Sequence, residues 1–104
     1  MRASKKNILD YLREIKNELK SDGIVTLALF GSFAREENGV YSDIDIAIAK
    51  ENDYLKNYSA YNYFDEVNKI KNMIQKKFHR NSDIFDLDSD SVMKKSIMKD
   101  LVYV

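Results

Sequence analysis

The chain has 104 residues, 44% of them hydrophobic and 33% charged, with lysine plus arginine and aspartate plus glutamate balanced at 17 each. That length suits one compact domain with a real core, and a zero net charge supplies no global field to draw the protein to nucleic acid or an anionic membrane. The absence of cysteine excludes disulfide frameworks and thiolate metal centres, and a single histidine, His79, disfavours a histidine-rich zinc site.

No apolar stretch approaches the roughly 20 residues of a membrane span. The start, MRASKKNILDYLREIKNELK, carries lysines and glutamates throughout and lacks the apolar centre of a signal peptide. A cytoplasmic protein with no membrane contact and no direct nucleic-acid binding is the expectation; the sequence leaves a homo-oligomer open.

Ser4 can cap a first helix whose apolar positions Ile8, Leu12, Ile15 and Leu19 recur at steps of three and four. The helix should stop near Ser21-Asp22-Gly23, with Gly23 in the left-handed cap. IVTLALF, residues 24 to 30, is a short apolar run that reads as a buried strand. Gly31-Ser32 breaks it, and SFARE is expected to open a short helix ending around Asn38-Gly39. DIDIAIA, residues 43 to 49, alternates: Ile44, Ile46 and Ile48 face one way, and Asp43, Asp45, Ala47 and Ala49 the other.

Residues 50 to 62 are polar and tyrosine-rich and read as a loop. A second long helix follows, with Phe64, Val67, Ile70, Ile74 and Phe78 assigned to one stripe. SDIFDLD, residues 82 to 88, is a third strand candidate. A last helix, opened by Ser89 or Asp90, should carry Val92, Met93, Ile97 and Leu101. The order α-β-(short α)-β-α-β-α indicates a single α/β or α+β domain over residues 1 to 104, a small sheet covered mainly by helices.

Two features of this order carry chemistry. On a strand, Asp43 and Asp45 project to the same side about 6.5–7 Å apart, so their carboxylates repel unless they face water or a cation intervenes. Magnesium would remove that cost, because it takes carboxylate oxygens and keeps positions for water and phosphate; a plain solvated strand end is the alternative. The Gly31-Ser32 corner offers backbone amides, a hydroxyl and, one turn on, the Arg35 guanidinium, a set suited to phosphate. Each alone is commonplace. What counts is the combination: one short connection brings an anion-binding corner and a cation-binding pair together.

GSFAREENGVYSDIDIAI resembles the signature of the DNA polymerase β-like nucleotidyltransferase superfamily: strand, Gly-Ser, about ten residues, then Asp-x-Asp on the next strand. G-S-x-A-R followed by S-D-I-D-I is similar, more narrowly, to the minimal nucleotidyltransferases. The ending HRNSDIFDLDSDSVMKKSIMKDLVYV resembles that family's third-carboxylate strand, final helix and short apolar tail. The likeness covers nearly the whole chain and is weakest over residues 50 to 62. One departure stands out: the family commonly has Gly after the arginine, and here Glu36 follows Arg35. Such a carboxylate would repel a triphosphate unless it points to solvent or pairs with Arg35.

The resemblance implies a minimal polymerase β-like fold with a mixed sheet and a two-magnesium site held by Asp43, Asp45 and a third carboxylate. Asp83 and Asp86 are the candidates for the third; Asp83, followed by apolar Ile84 and Phe85, fits the family pattern better. Gly31 and Ser32 would bind the β- and γ-phosphates of ATP, with Arg35 assisting. The reaction implied is in-line attack by a hydroxyl on the α-phosphate, releasing pyrophosphate. At this size the acceptor should be presented by another macromolecule. Minimal nucleotidyltransferases typically pair with HEPN-domain RNase toxins and act as antitoxins by adenylylating a tyrosine of the toxin. Two other readings compete: a catalytically weak module that neutralises a HEPN partner by masking it, for which Glu36 speaks, and a D-x-D glycosyltransferase fragment, against which Gly-Ser and the small size argue. His79 reads as a helix C-terminal residue, and Tyr54, Tyr58, Tyr61 and Tyr63 as packing and loop surface rather than a stacking platform.

Overall fold

The structure, a computed structural model, describes all residues from Met1 to Val104. Ser4 starts the first helix, α1 (Lys5–Ser21): its hydroxyl accepts the Asn7 amide at 3.1 Å and replaces one of the missing intrahelical partners. The expected stripe of Ile8, Leu12, Ile15 and Leu19 is buried, joined by Leu9. Beyond Asp22, Gly23 turns the chain at φ +92°, as the sequence anticipates. β1 (Ile24–Phe30) follows directly, then a single turn, α2 (Gly31–Ala34), far shorter than the helix to Asn38-Gly39 that the sequence suggests. It ends early because Glu36 turns left-handed at φ 58°.

β2 (Ile44–Lys50) pairs antiparallel with β1, and β3 (Ser82–Asp86) runs parallel to β2 on its other side. The chain crosses between those parallel strands through α3 (Tyr54–Asn57) and α4 (Ala60–Phe78). About half of the segment expected to be a loop is thus helical. Ser59 caps α4 by accepting the Asn62 amide at 3.1 Å while the Asn62 side chain accepts the Ser59 amide at 2.8 Å, a reciprocal box with Asn in the usual Glu position. Tyr54 is buried, stacks on Tyr58 at 4.6 Å and meets Tyr63 edge-on at 6.0 Å, so these three tyrosines form packing. Tyr61 stays exposed.

The inward stripe of α4 is Glu66, Ile70, Ile74 and Phe78, with Val67 and Tyr63 alongside; Phe64 is 68% exposed and does not belong to it. Stepping back from Ile70 by seven and by four reaches Tyr63 and Glu66, and a polar residue in the stripe disguises the true phase. His79 ends α4 in a left-handed cap and remains exposed. The last helix, α5 (Lys94–Asp100), begins later than expected: Val92 and Met93 are exposed, and only Ile97 is buried. The turns from Ser89 to Met93 spend those apolar residues on solvent.

The apolar tail becomes an edge strand, β4 (Val102–Tyr103), antiparallel to β1, giving a four-stranded mixed sheet of order β3-β2-β1-β4. Leu27, Leu29, Ile44, Ile46 and Ile48 point from the sheet into one core with α1 and α4. Burying each of these aliphatic side chains contributes about 1.5–3 kcal/mol, so this face supplies most of the drive for folding. No helix is long and apolar enough to cross a membrane.

Candidate active site

The opposite face of the sheet carries the polar chemistry. Register places Phe30, Asp45 and Asp83 in one row across β1, β2 and β3, and Ala28, Ala47 and Phe85 in the next. Phe30 and Phe85 meet edge-to-face at 6.3 Å across this surface. Asp45 is held half-buried at the centre of the row, with Asp83 beside it and Asp43 just before the strand. Burial, and then the neighbouring Asp83 and Asp43 carboxylates, push the Asp45 carboxyl up to about 6. Three like charges crowd one corner.

Gly31 closes that corner from the β1 side. Its φ is +75°, and a Cβ there would strike the Asp45 carboxylate, 2.9 Å from the carboxyl carbon. The turn therefore brings backbone against the acidic group at a distance only glycine allows. Ser32 and Phe33 open the turn of α2, where amide groups lack intrahelical acceptors. Phe33 is fully buried and anchors the turn to the core.

Of the two candidates on β3, Asp83 comes to Asp45 and Asp86 does not. Asp86 pairs in register with Ile48, on the other face, and accepts from the Lys50 ammonium at 2.6 Å. Lys50 lies over the Tyr63 ring at 4.5 Å and also reaches Asp88 at 3.2 Å. This network ties the ends of β2 and β3 to α4 and has no part in the carboxylate corner.

Arg35 lies close enough to lower the charge strain on Asp45, but its guanidinium is engaged elsewhere. It donates to Glu37 at 3.0 Å and to Asp100 at 2.6 Å, latching the turn onto α5. The partner of Arg35 is thus Glu37 rather than Glu36. Glu36 lines a shallow surface cleft with Lys5, Lys6, Asp10 and Arg13 of α1. Its left-handed backbone, at φ 58°, is one that glycine adopts more readily, independent of any phosphate.

One positioning residue escaped the sequence reading. Arg80 donates to the Ser42 carbonyl at 2.8 Å and rests over the Phe33 ring at 5.3 Å, so it clamps the loop immediately before Asp43. A contact spanning 38 residues leaves no trace in a single sequence.

Nothing in the chain forms a preassembled cation cage: as the side chains stand, no three Asp, Glu or His groups converge on one point. Asp43 is exposed in the loop ahead of β2, not on the strand as the alternation suggests. The donor set still fits a hard divalent ion. It offers carboxylate oxygens only, and the burial and carboxylate repulsion that together raise Asp45 are costs such an ion relieves.

The fold and this corner together define a nucleotidyl-transferring class of protein, and comparison with known proteins agrees. Residues 13–104 match the family model "Polymerase beta, Nucleotidyltransferase". Two Methanocaldococcus jannaschii proteins named "Putative protein adenylyltransferase", MJ0128 and MJ0126, are 37% and 34% identical, each alignment covering 93% of this chain and 94% of the relative. A crystal structure of a toxin–antitoxin with AMP-PNP shares the fold at a TM-score of 0.59 and 20% identity, covering 97% of this chain and 72% of that one. The chain belongs to the polymerase β nucleotidyltransferase family, among its minimal members, and is a nucleotidyltransferase.

Proposed function

We propose that the protein transfers AMP from ATP, with magnesium, to a hydroxyl of a partner protein, and that it serves as the antitoxin of a HEPN-domain RNase toxin. The observation that carries this reading is the corner itself: Asp45 and Asp83 paired across adjacent strands, Asp43 at the approach, and a glycine turn pressed against the Asp45 carboxylate. The names of the relatives support a protein as acceptor, and the toxin–antitoxin neighbour with AMP-PNP supports both nucleotide and partner.

In this reading Gly31 and Ser32 hold the β- and γ-phosphates, and Asp43, Asp45 and Asp83 hold the metal. Magnesium would offset phosphate charge and ease deprotonation of the attacking hydroxyl. The acceptor oxygen bonds to the α-phosphorus as the α–β bridging bond breaks, the bond pair leaves with pyrophosphate, and the hydroxyl proton passes to solvent. Arg35 joins the phosphates only by releasing Asp100 and Glu37. That engagement favours a second reading, in which the chain masks its partner without catalysis.

Calorimetric titration with AMP-PNP, with and without magnesium, tests the site. Magnesium-dependent heat is expected. Incubation with the neighbouring operon product and labelled ATP, followed by mass spectrometry, tests the acceptor: an inhibited but unmodified partner would retire transfer in favour of masking.

A further inference from the structure

Asp43 is exposed and lies outside β2, yet its backbone is not loose. The turn before it closes on itself: the Gly39 amide donates to the Ser42 hydroxyl at 2.8 Å, and the Ser42 amide donates to the Gly39 carbonyl at 3.2 Å. Arg80 gathers the carbonyls of that turn, donating from Nη1 to Ser42 at 2.8 Å and lying 3.5 Å from the carbonyl of Gly39. On the other side of Asp43, the Ile44 amide donates to the Asn81 carbonyl at 3.0 Å. Two consecutive residues, Arg80 and Asn81, therefore bracket Asp43, one holding the peptide before it and the other the peptide after it.

The same arginine meets the other two parts of the corner. Its guanidinium rests over the Phe33 ring, 5.3 Å from the centroid, and Phe33 is the buried residue that anchors the glycine turn of α2. A few residues further along its own segment, Asp83 stands beside Asp45 in parallel register. One side chain thus joins the segments that carry Gly31, Asp43 and Asp83. It does so without a carboxylate: Arg13 and Arg35 are engaged in ion pairs, whereas the hydrogen bonds of Arg80 go to main-chain carbonyls. A planar fork that lies flat on a ring while donating at its edge suits this junction, and a lysine ammonium supplies only the donation.

We propose that Arg80 is a positioning residue for nucleotidyl transfer, and that through its hold on the Ser42 carbonyl it sets how tightly the corner binds magnesium. The inference rests on the reading in which Asp43, Asp45 and Asp83 hold the metal. As the side chains stand, the three carboxylates do not converge. With its flanking peptides already fixed, Asp43 need turn only its side chain to meet a cation, and little backbone order remains to be lost on binding. Residues that orient a metal ligand without touching the metal commonly account for roughly 10–100-fold in affinity.

Calorimetric titration of the full chain with AMP-PNP at a series of magnesium concentrations gives the magnesium level needed for half-maximal nucleotide binding. Arg80→Met keeps an apolar stem over Phe33 and removes donors and charge. It should raise that level roughly tenfold, with AMP-PNP affinity at saturating magnesium within about twofold of wild type. Arg80→Lys, which can still donate to the Ser42 carbonyl, should raise it by roughly threefold, and it carries the test if circular dichroism shows Arg80→Met unfolded. A clip that serves stability alone would lower the urea midpoint and leave the magnesium requirement unchanged, and that result overturns the assignment. An affinity loss that saturating magnesium does not restore overturns it too, because the effect would then run through Phe33 to the glycine turn. Wild type whose AMP-PNP binding ignores magnesium would instead sink the metal reading itself, and this inference with it.

Discussion

Replacing Gly31 by alanine probes the contact on which the corner depends. At φ +75° a residue with a Cβ pays about 1–2 kcal/mol for the left-handed conformation. The added carbon also lands 2.9 Å from the Asp45 carboxyl carbon and 3.2 Å from its Cβ, which forces that side chain off its rotamer at about 0.5–1.5 kcal/mol. A stiffer unfolded chain returns roughly 0.4–1 kcal/mol. The net loss is about 2 kcal/mol, which in a domain of this size lowers the thermal midpoint by about 10 °C. Calorimetry reads it directly. Repeating the substitution in an Asp45→Ala background separates backbone from clash, because only the second depends on the carboxylate; the cost should shrink there by about 1 kcal/mol. AMP-PNP affinity should fall in Gly31→Ala beyond what unfolding explains. A midpoint within about 2 °C of wild type, with nucleotide binding intact, would refute the claim that the turn is built around the carboxylate.

Asp45→Asn should abolish transfer yet melt a few degrees higher at pH 8, since it removes a half-buried charge that also faces Asp83 and Asp43; after solvent screening the gain is about 1 kcal/mol, and a lower midpoint would contradict the geometry. Asp83→Asn should lose turnover while staying folded, whereas Asp86→Asn should keep turnover and lose about 1 kcal/mol, since the half-buried Lys50 keeps only its longer contact with Asp88, measured by urea denaturation. Burial, with Asp22 alongside, pushes the Glu66 carboxyl up to about 7 from an ordinary 4.5. The folded state therefore keeps a proton that the unfolded chain releases, so this contribution is full below about pH 4.5 and declines as pH rises through 7. Urea midpoints of Glu66→Gln against wild type across that window should diverge by on the order of 1 kcal/mol in favour of glutamine above pH 7.

Where one residue's neighbours along the chain decide its conformation, the sequence was readable. Ser4 and Gly23 bracket α1, the β-branched run makes β1, and the Ile44, Ile46, Ile48 alternation sets which face of β2 is buried. It misled where tertiary contacts decide. Phe64 looks like a core residue until Glu66 takes the inward position, and the tyrosine run reads as loop until Tyr54 stacks on Tyr58 and the Ser59 box starts a helix. Two apolar residues at the very end, Val102 and Tyr103, become a strand only because β1 offers an open edge. At the site, Gly31, Ser32, Asp43 and Asp45 were visible by spacing, and resemblance favoured Asp83 over Asp86. Parallel register with β2 is what brings Asp83 to Asp45, and no local pattern in β3 encodes that pairing.

The choice between the two β3 aspartates follows from parity and from one lysine. Three residues apart on a strand, Asp83 and Asp86 must face opposite ways. The Ile48 row belongs to the face that α1 and α4 cover, so whichever aspartate shares it needs a cation there, and Lys50, ending β2 on the same face, supplies one at 2.6 Å. Asp86 is thereby neutralised by structure, and Asp83 is left on the open face beside Asp45 with no lysine or arginine bonded to it. A chain that wanted only a stable sheet would place its countercharge beside the more crowded pair. This one spends it on Asp86 and leaves the repulsion at Asp45 and Asp83 standing, which is the arrangement expected of carboxylates kept for an incoming cation.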